Sequence, residues 1–214
     1  MLRVGRLRAV SLAAALVGWS FLVPRLPARS RSLTQGVIGG LLVWLTRAPL
    51  GLRPPRLWAG LRLGAVTGAA AAIAVGGSAL VPRVRQSMAD REPPAPAPAW
   101  LLVRIPVGTV WAEESGFRAA LGAAGAAAFG TPAGRLLQAG AFGLSHIPDA
   151  RATKAPVMPT VLVTGVAGWL FGWLADRCGS LAAPILVHLA VNEAGAIGAL
   201  AARSAERRRG DPRL

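Results

Sequence analysis

Two histidines occur in this chain, and each lies four residues from another side chain of chemical interest. His146 follows Phe142 and His188 precedes Asn192, a spacing that puts each pair on one face of a helix. A third cluster, Glu113-Glu114-Ser115-Gly116-Phe117-Arg118, sets two adjacent carboxylates and an arginine inside an otherwise apolar stretch. On a helix of about 3.6 residues per turn, neighbours diverge by about 100°, so Glu113 and Glu114 cannot point the same way. Glu114 and Arg118, acid first and four apart, are in the favourable order for an ion pair. Glu113 is left without a local cation and is free to face something else.

Glu, two His and Asn suit hydrolysis. A Glu–His pair can take a proton from water, which then attacks a carbonyl carbon. The remaining His and Asn can donate hydrogen bonds to the oxyanion that develops. An alternative is that Glu113, His146 and His188 bind Zn2+, whose bound water is the nucleophile. The His-Glu-x-x-His helix of common zinc proteases is absent, and so is the Gly-x-Ser-x-Gly of serine hydrolases. Ser115 and Ser145 adjoin the motifs, but nothing marks either as an activated nucleophile.

The elements that carry these residues read as membrane. Of 214 residues 53% are hydrophobic and 15% charged, the composition of one compact membrane domain. The segments 63–82 and 155–175 carry no charge, and shorter uncharged runs recur along the chain. Helices of around 20 apolar residues cross a bilayer, and terminal arginines extend shorter runs by snorkelling. The fold class expected is all-α: a polytopic transmembrane helical bundle of roughly six to eight spans with an intramembrane polar site. A charge at mid-bilayer costs roughly 2.5–3.5 kcal/mol, so the three charges of the Glu-Glu-Arg cluster would cost about 8–10 kcal/mol facing lipid. They must pair, face protein or line water.

The net charge of +15 does not indicate a nucleic-acid partner, because the basic residues are scattered between apolar runs and do not form one stripe. Anchoring of loops at lipid headgroups accounts for it. The partners expected are membrane lipids and a peptide or membrane-protein substrate. One Lys, Lys154, against many Arg suggests a bacterial chain of high-GC origin, and with it the bacterial cytoplasmic membrane. Cys178 is single, so it forms no intramolecular disulfide.

Arg3, Arg6 and Arg8 precede the apolar run 9–23, which reads as a first span or signal anchor because no small-x-small cleavage site follows it. The clearest span is 57–81, where Gly64 and Gly68 form a small-xxx-small face. The stretch 90–99, rich in Pro and Ala, reads as an extended linker. Three parts follow: N-terminal spans and linker over 1–99, a catalytic core over 100–202, and a basic tail over 203–214.

At Glu113-Glu114-x-x-x-Arg118, Phe142-x-x-x-His146 and His188-x-x-x-Asn192 the chain resembles the CPBP intramembrane protease family. That family includes the type II CAAX prenyl endopeptidases and bacteriocin-processing and immunity proteins. The resemblance covers about residues 100–202. It implies a membrane endopeptidase in which Glu113 and His146 activate water and His188 with Asn192 forms the oxyanion hole. Glu114, Arg118 and Phe142 would support them. Metal-free and zinc mechanisms both remain open, and no cofactor is required in the metal-free one, which is favoured because Asn192 is a poor fourth zinc ligand. Glu193 departs from economy: it adds a carboxylate beside the site, to be met by an arginine or by the membrane surface. A transporter or proton relay using the same Glu and His is the competing class. It would be expected to show internal repeats with matching interrupted helices, and none is apparent.

Overall fold

The computed structural model describes residues 2–90, 92–94 and 96–209. These form helices with no strand among them. The first is α1, Leu2–Leu22, followed by α2, Ala28–Thr46, and α3, Arg56–Ser78. A short α4, Pro82–Ala89, precedes the long helix α5, residues 97–129. Then come α6, Thr131–Ser145, α7, Ile147–Ala152, α8, Val157–Cys178, and α9, Ala182–Arg209. The end of the expected basic tail, residues 210–214, lies outside the described residues, as do 91 and 95 of the expected linker.

This is an all-α helical membrane bundle. Among the described residues four helices are long and apolar enough to cross a bilayer: Arg3–Arg25, Arg56–Ser78, Val157–Cys178 and Ala182–Arg208. Their outward faces carry exposed Val66, Ile73, Leu162 and Val163, a surface that suits lipid. Six to eight such spans were expected. The difference lies in α5, whose apolar windows are interrupted by charge, in the 15-residue α6, which is too short, and in α2, whose N-terminal turn carries Arg29 and Arg31.

Helix α5 is the hub, touching α1, α2, α6, α8 and α9. It is wound as a π-helix over Trp100–Trp111 and Glu114–Leu121, with Ala112 and Glu113 in an α-wound joint between them. Pro106 lies inside this helix. Its missing N–H leaves one carbonyl of the preceding turn without a ladder donor, that of Leu102 under α winding and that of Leu101 under π winding. Such π turns are frequent at functional sites.

The remaining packing depends on small residues, as expected for helices with no hydrophobic drive to associate in lipid. In α3, Gly60, Gly64 and Gly68 are buried against α9. A Cβ on Gly64 would come within 2.9 Å of Ala183 Cα and 3.0 Å of Leu186 Cβ. Gly143 of α6 is equally close to α8, where its Cβ would meet the Val161 carbonyl at 2.5 Å. Gly130, at φ +82°, breaks the chain between α5 and α6, a conformation that only glycine adopts cheaply. Ala13 and Leu16 of α1, Phe117 and Leu121 of α5, and Ala141 and Phe142 of α6 form one apolar cluster.

Candidate active site

Glu114 lies at the centre of the buried polar cluster, fully buried in α5. Its Oε1 accepts a hydrogen bond from His188 Nδ1 at 2.7 Å and is 3.3 Å from Arg118 Nη1. The latter contact lacks hydrogen-bond alignment, as Nε, Nη1 and Nη2 of Arg118 all have no hydrogen-bond partner. The attraction is therefore coulombic, and it is strong because both side chains are fully shielded from water. Arg118 gains further from aromatic faces: its guanidinium lies 3.8 Å from the Phe142 ring centroid and 5.0 Å from that of Phe171. The ion pair read from the i,i+4 spacing is present.

Phe142 links the parts. Its ring packs edge-on against His146 at 4.7 Å and against Phe117 at 5.2 Å. Its carbonyl takes His146 Nδ1 at 2.8 Å, which requires the proton on Nδ1 and leaves Nε2 of the neutral ring with its lone pair. His146 follows the last residue of α6 at φ −90°, ψ 0°, the sparsely populated region where many active-site residues sit. The helix thus stops one residue before His146, and Pro148 stands in the first turn of α7. Gly168 leaves room for the Phe142 ring, since its Cβ would meet Phe142 Cδ1 at 2.8 Å.

A cavity of about 510 Å³ opens beside this cluster, lined by Glu113, His146 and Asn192. Three of the four residues expected to do chemistry therefore share one space, large enough for a small ligand. His188, 6% exposed, lies behind Glu113 with Nε2 3.7 Å from Glu113 Oε2. Glu113 was expected to lack a local cation, and within its own helix it does; its partner comes from α9. Asn192 Nδ2 donates to the His188 carbonyl at 3.0 Å, keeping its second N–H free. Two carboxylates are thus balanced by Arg118 and by His188 whenever that ring carries both protons.

Zinc is the metal left open by the motifs, with Glu113, His146 and His188 as its ligands. Among the described residues these three do not come together as a metal-binding group. His188 is engaged by the two glutamates. Glu193 is half-buried and has no ion-pair partner among the described residues, so the arginine partner considered for it is not realised.

Residues 95–194 match the family model for type II CAAX prenyl endopeptidase Rce1-like proteins. This part of the chain is similar to that family. No curated protein matches the chain, and no solved structure does. The Rce1-like segment contains Glu113, Glu114, Arg118, Phe142, His146, His188 and Asn192, in the order and spacing quoted from the sequence. The similarity indicates an intramembrane protease, a hydrolase whose substrate is a peptide or protein.

Three contributors had no motif to announce them, and a fourth, Ser115, stood inside the Glu-Glu-x-x-x-Arg stretch without an assigned role. Phe171 tilts against His188 at 5.1 Å. Ser115 is fully buried with an unpartnered Oγ. Trp19 of α1 and Gln35 of α2 line the cavity from outside the Rce1-like segment. No motif or spacing in their own helices marks these last two.

Proposed function

We propose that this protein is an endopeptidase that hydrolyses a peptide bond within the membrane by a metal-free, glutamate-based mechanism. The observation that carries the reading is the cavity shared by Glu113, His146 and Asn192, with His188 held against Glu113. Glu113, assisted by the Nε2 lone pair of His146, takes a proton from water as the oxygen attacks the scissile carbonyl. The same proton passes to the departing amine when the tetrahedral intermediate collapses, so the carboxylate returns to its starting state. The second N–H of Asn192 and a protonated His188 Nε2 donate to the oxyanion, the largest electrostatic contribution in acyl transfer. Glu114 and Arg118 act through His188, holding its ring by the Nδ1 bond. The Arg-rich composition supports placing the chain in a bacterial cytoplasmic membrane.

The test is cleavage of a prenylated peptide ending in Cys-aliphatic-aliphatic-X by protein purified in detergent. Glu113→Gln and His146→Ala each abolish turnover while the protein keeps its helical content and unfolding midpoint. Wild-type turnover by either variant removes the assigned roles.

A further inference from the structure

The cavity wall carries a second set of charged residues. Arg31 of α2 and Arg104 of α5 line it together with Asp149 of α7. Arg31 is held in place: its Nη2 donates to the carbonyls of Pro24 and Leu26, both at 2.9 Å. Its Nε is buried and has no partner. Arg104 is half-buried and makes no hydrogen bond or ion pair with any described residue. The charges of Arg31 and Asp149 both act on the Arg104 guanidinium, the first repelling it and the second attracting it.

Two like charges on one partly dry wall are unfavourable unless something compensates them. Asp149 balances one of them, and Glu113, the other acid on the cavity wall, faces His188. The Arg104 guanidinium keeps donors that no described residue takes. A monoanion matches it, and a planar guanidinium with free donors matches a carboxylate in geometry as well. A phosphate, with about −1.5 to −2 charge, would overcompensate.

We propose that Arg31 and Arg104 form a carboxylate-binding subsite that fixes the substrate at a set distance from the water-activating residues. The inference rests on the endopeptidase reading, since it concerns the substrate of that same site. The carboxylate is either the C-terminus of the substrate or an acidic side chain close to the cleaved bond. Arg31 lies outside the Rce1-like segment, so the subsite is built by both parts of the chain.

The experiment uses three prenylated peptides of one sequence ending in Cys-Val-Ile-Met: the free acid, the C-terminal amide, and an amide with Glu replacing Met. Each is measured for cleavage by the wild type and for binding to the Glu113→Gln protein by fluorescence anisotropy in detergent. The free acid binds about 10- to 100-fold more tightly than the amide, the range expected for hydrogen bonds to a charged group. Arg104→Gln brings that ratio towards one, and Arg104→Lys restores part of it. Arg104 is the decisive position because it bonds to no described residue, whereas Arg31→Gln also releases the Pro24–Leu26 turn. If the Glu-bearing amide recovers the affinity, an acidic side chain serves as the carboxylate; if it does not, the chain end does.

Equal binding of acid and amide, or binding of neither, overturns the subsite. An Arg104-dependent preference for the acid without cleavage of any peptide would leave the subsite standing and remove the endopeptidase reading. Cleavage of acid and amide at the same rate does the reverse.

Discussion

The pair Glu114–Arg118 allows a test of the buried electrostatics that needs no substrate. Both side chains are fully buried, 3.3 Å apart, and Glu114 also holds His188. Arg118→Met removes the cation and leaves the carboxylate with His188 alone. Removing one partner of a buried pair costs about 3–5 kcal/mol, and the lost stacking on Phe142 adds about 0.5–2 kcal/mol. Glu114→Gln strands Arg118, whose three nitrogens already lack hydrogen-bond partners, at a similar cost of about 3–5 kcal/mol. The double variant strands neither charge, and Gln keeps an acceptor for His188 Nδ1. It is therefore less destabilised than the sum of the singles, by about 2–3 kcal/mol. That coupling corresponds to a factor of about 30–150 in the folded fraction. Reversible unfolding in mixed micelles, followed by circular dichroism, measures all four corners of the cycle. Additivity within about 0.5 kcal/mol would mean that the two side chains do not compensate each other, and the account of His188 as held by this pair would fall with it.

Other consequences concern turnover, packing and metal. Asn192→Ala lowers kcat by about 10²–10³ through loss of an oxyanion donor; a change confined to KM would make Asn192 a binding residue. Gly64→Leu destabilises the bundle by about 1–3 kcal/mol or more, because its Cβ has nowhere to go between Ala183 and Leu186. Gly76→Ala, with nothing within 4 Å of the added Cβ, stays within about 0.5 kcal/mol in the same unfolding assay. Exhaustive chelation leaves peptide cleavage unchanged; loss of activity that returns with added zinc would establish the metal mechanism in place of the metal-free one.

What the sequence made legible was local. The i,i+4 rule placed Glu114 beside Arg118 and gave Glu113 a different direction, because both are properties of one helix. The all-α membrane class followed from apolar runs, and the Gly64/Gly68 face from its small-residue spacing. Contacts between helices were not legible in the same way. No periodicity says that His188 reaches back 74 positions to Glu114, or that Phe142 supplies both a ring for Arg118 and a carbonyl for His146. Nor does the sequence announce π winding in α5, where Pro106 signals a disturbance but not its form. The span count differed for a related reason. Apolar runs in α2, α5 and α6 are hydrophobic enough to be buried, but length and charge keep them below the criterion for crossing lipid alone.

The walls of the cavity have separate origins. Glu113, His146 and Asn192 stand on α5, the α6–α7 junction and α9, whereas Trp19, Arg31 and Gln35 come from α1 and α2. The proposed chemistry falls to the Rce1-like segment, whereas the proposed substrate contacts are shared between that segment and the first two helices. The first two helices can drift in sequence and acquire new cargo while the hydrolytic apparatus stays as it is, which makes them the place to engineer a protease of altered taste.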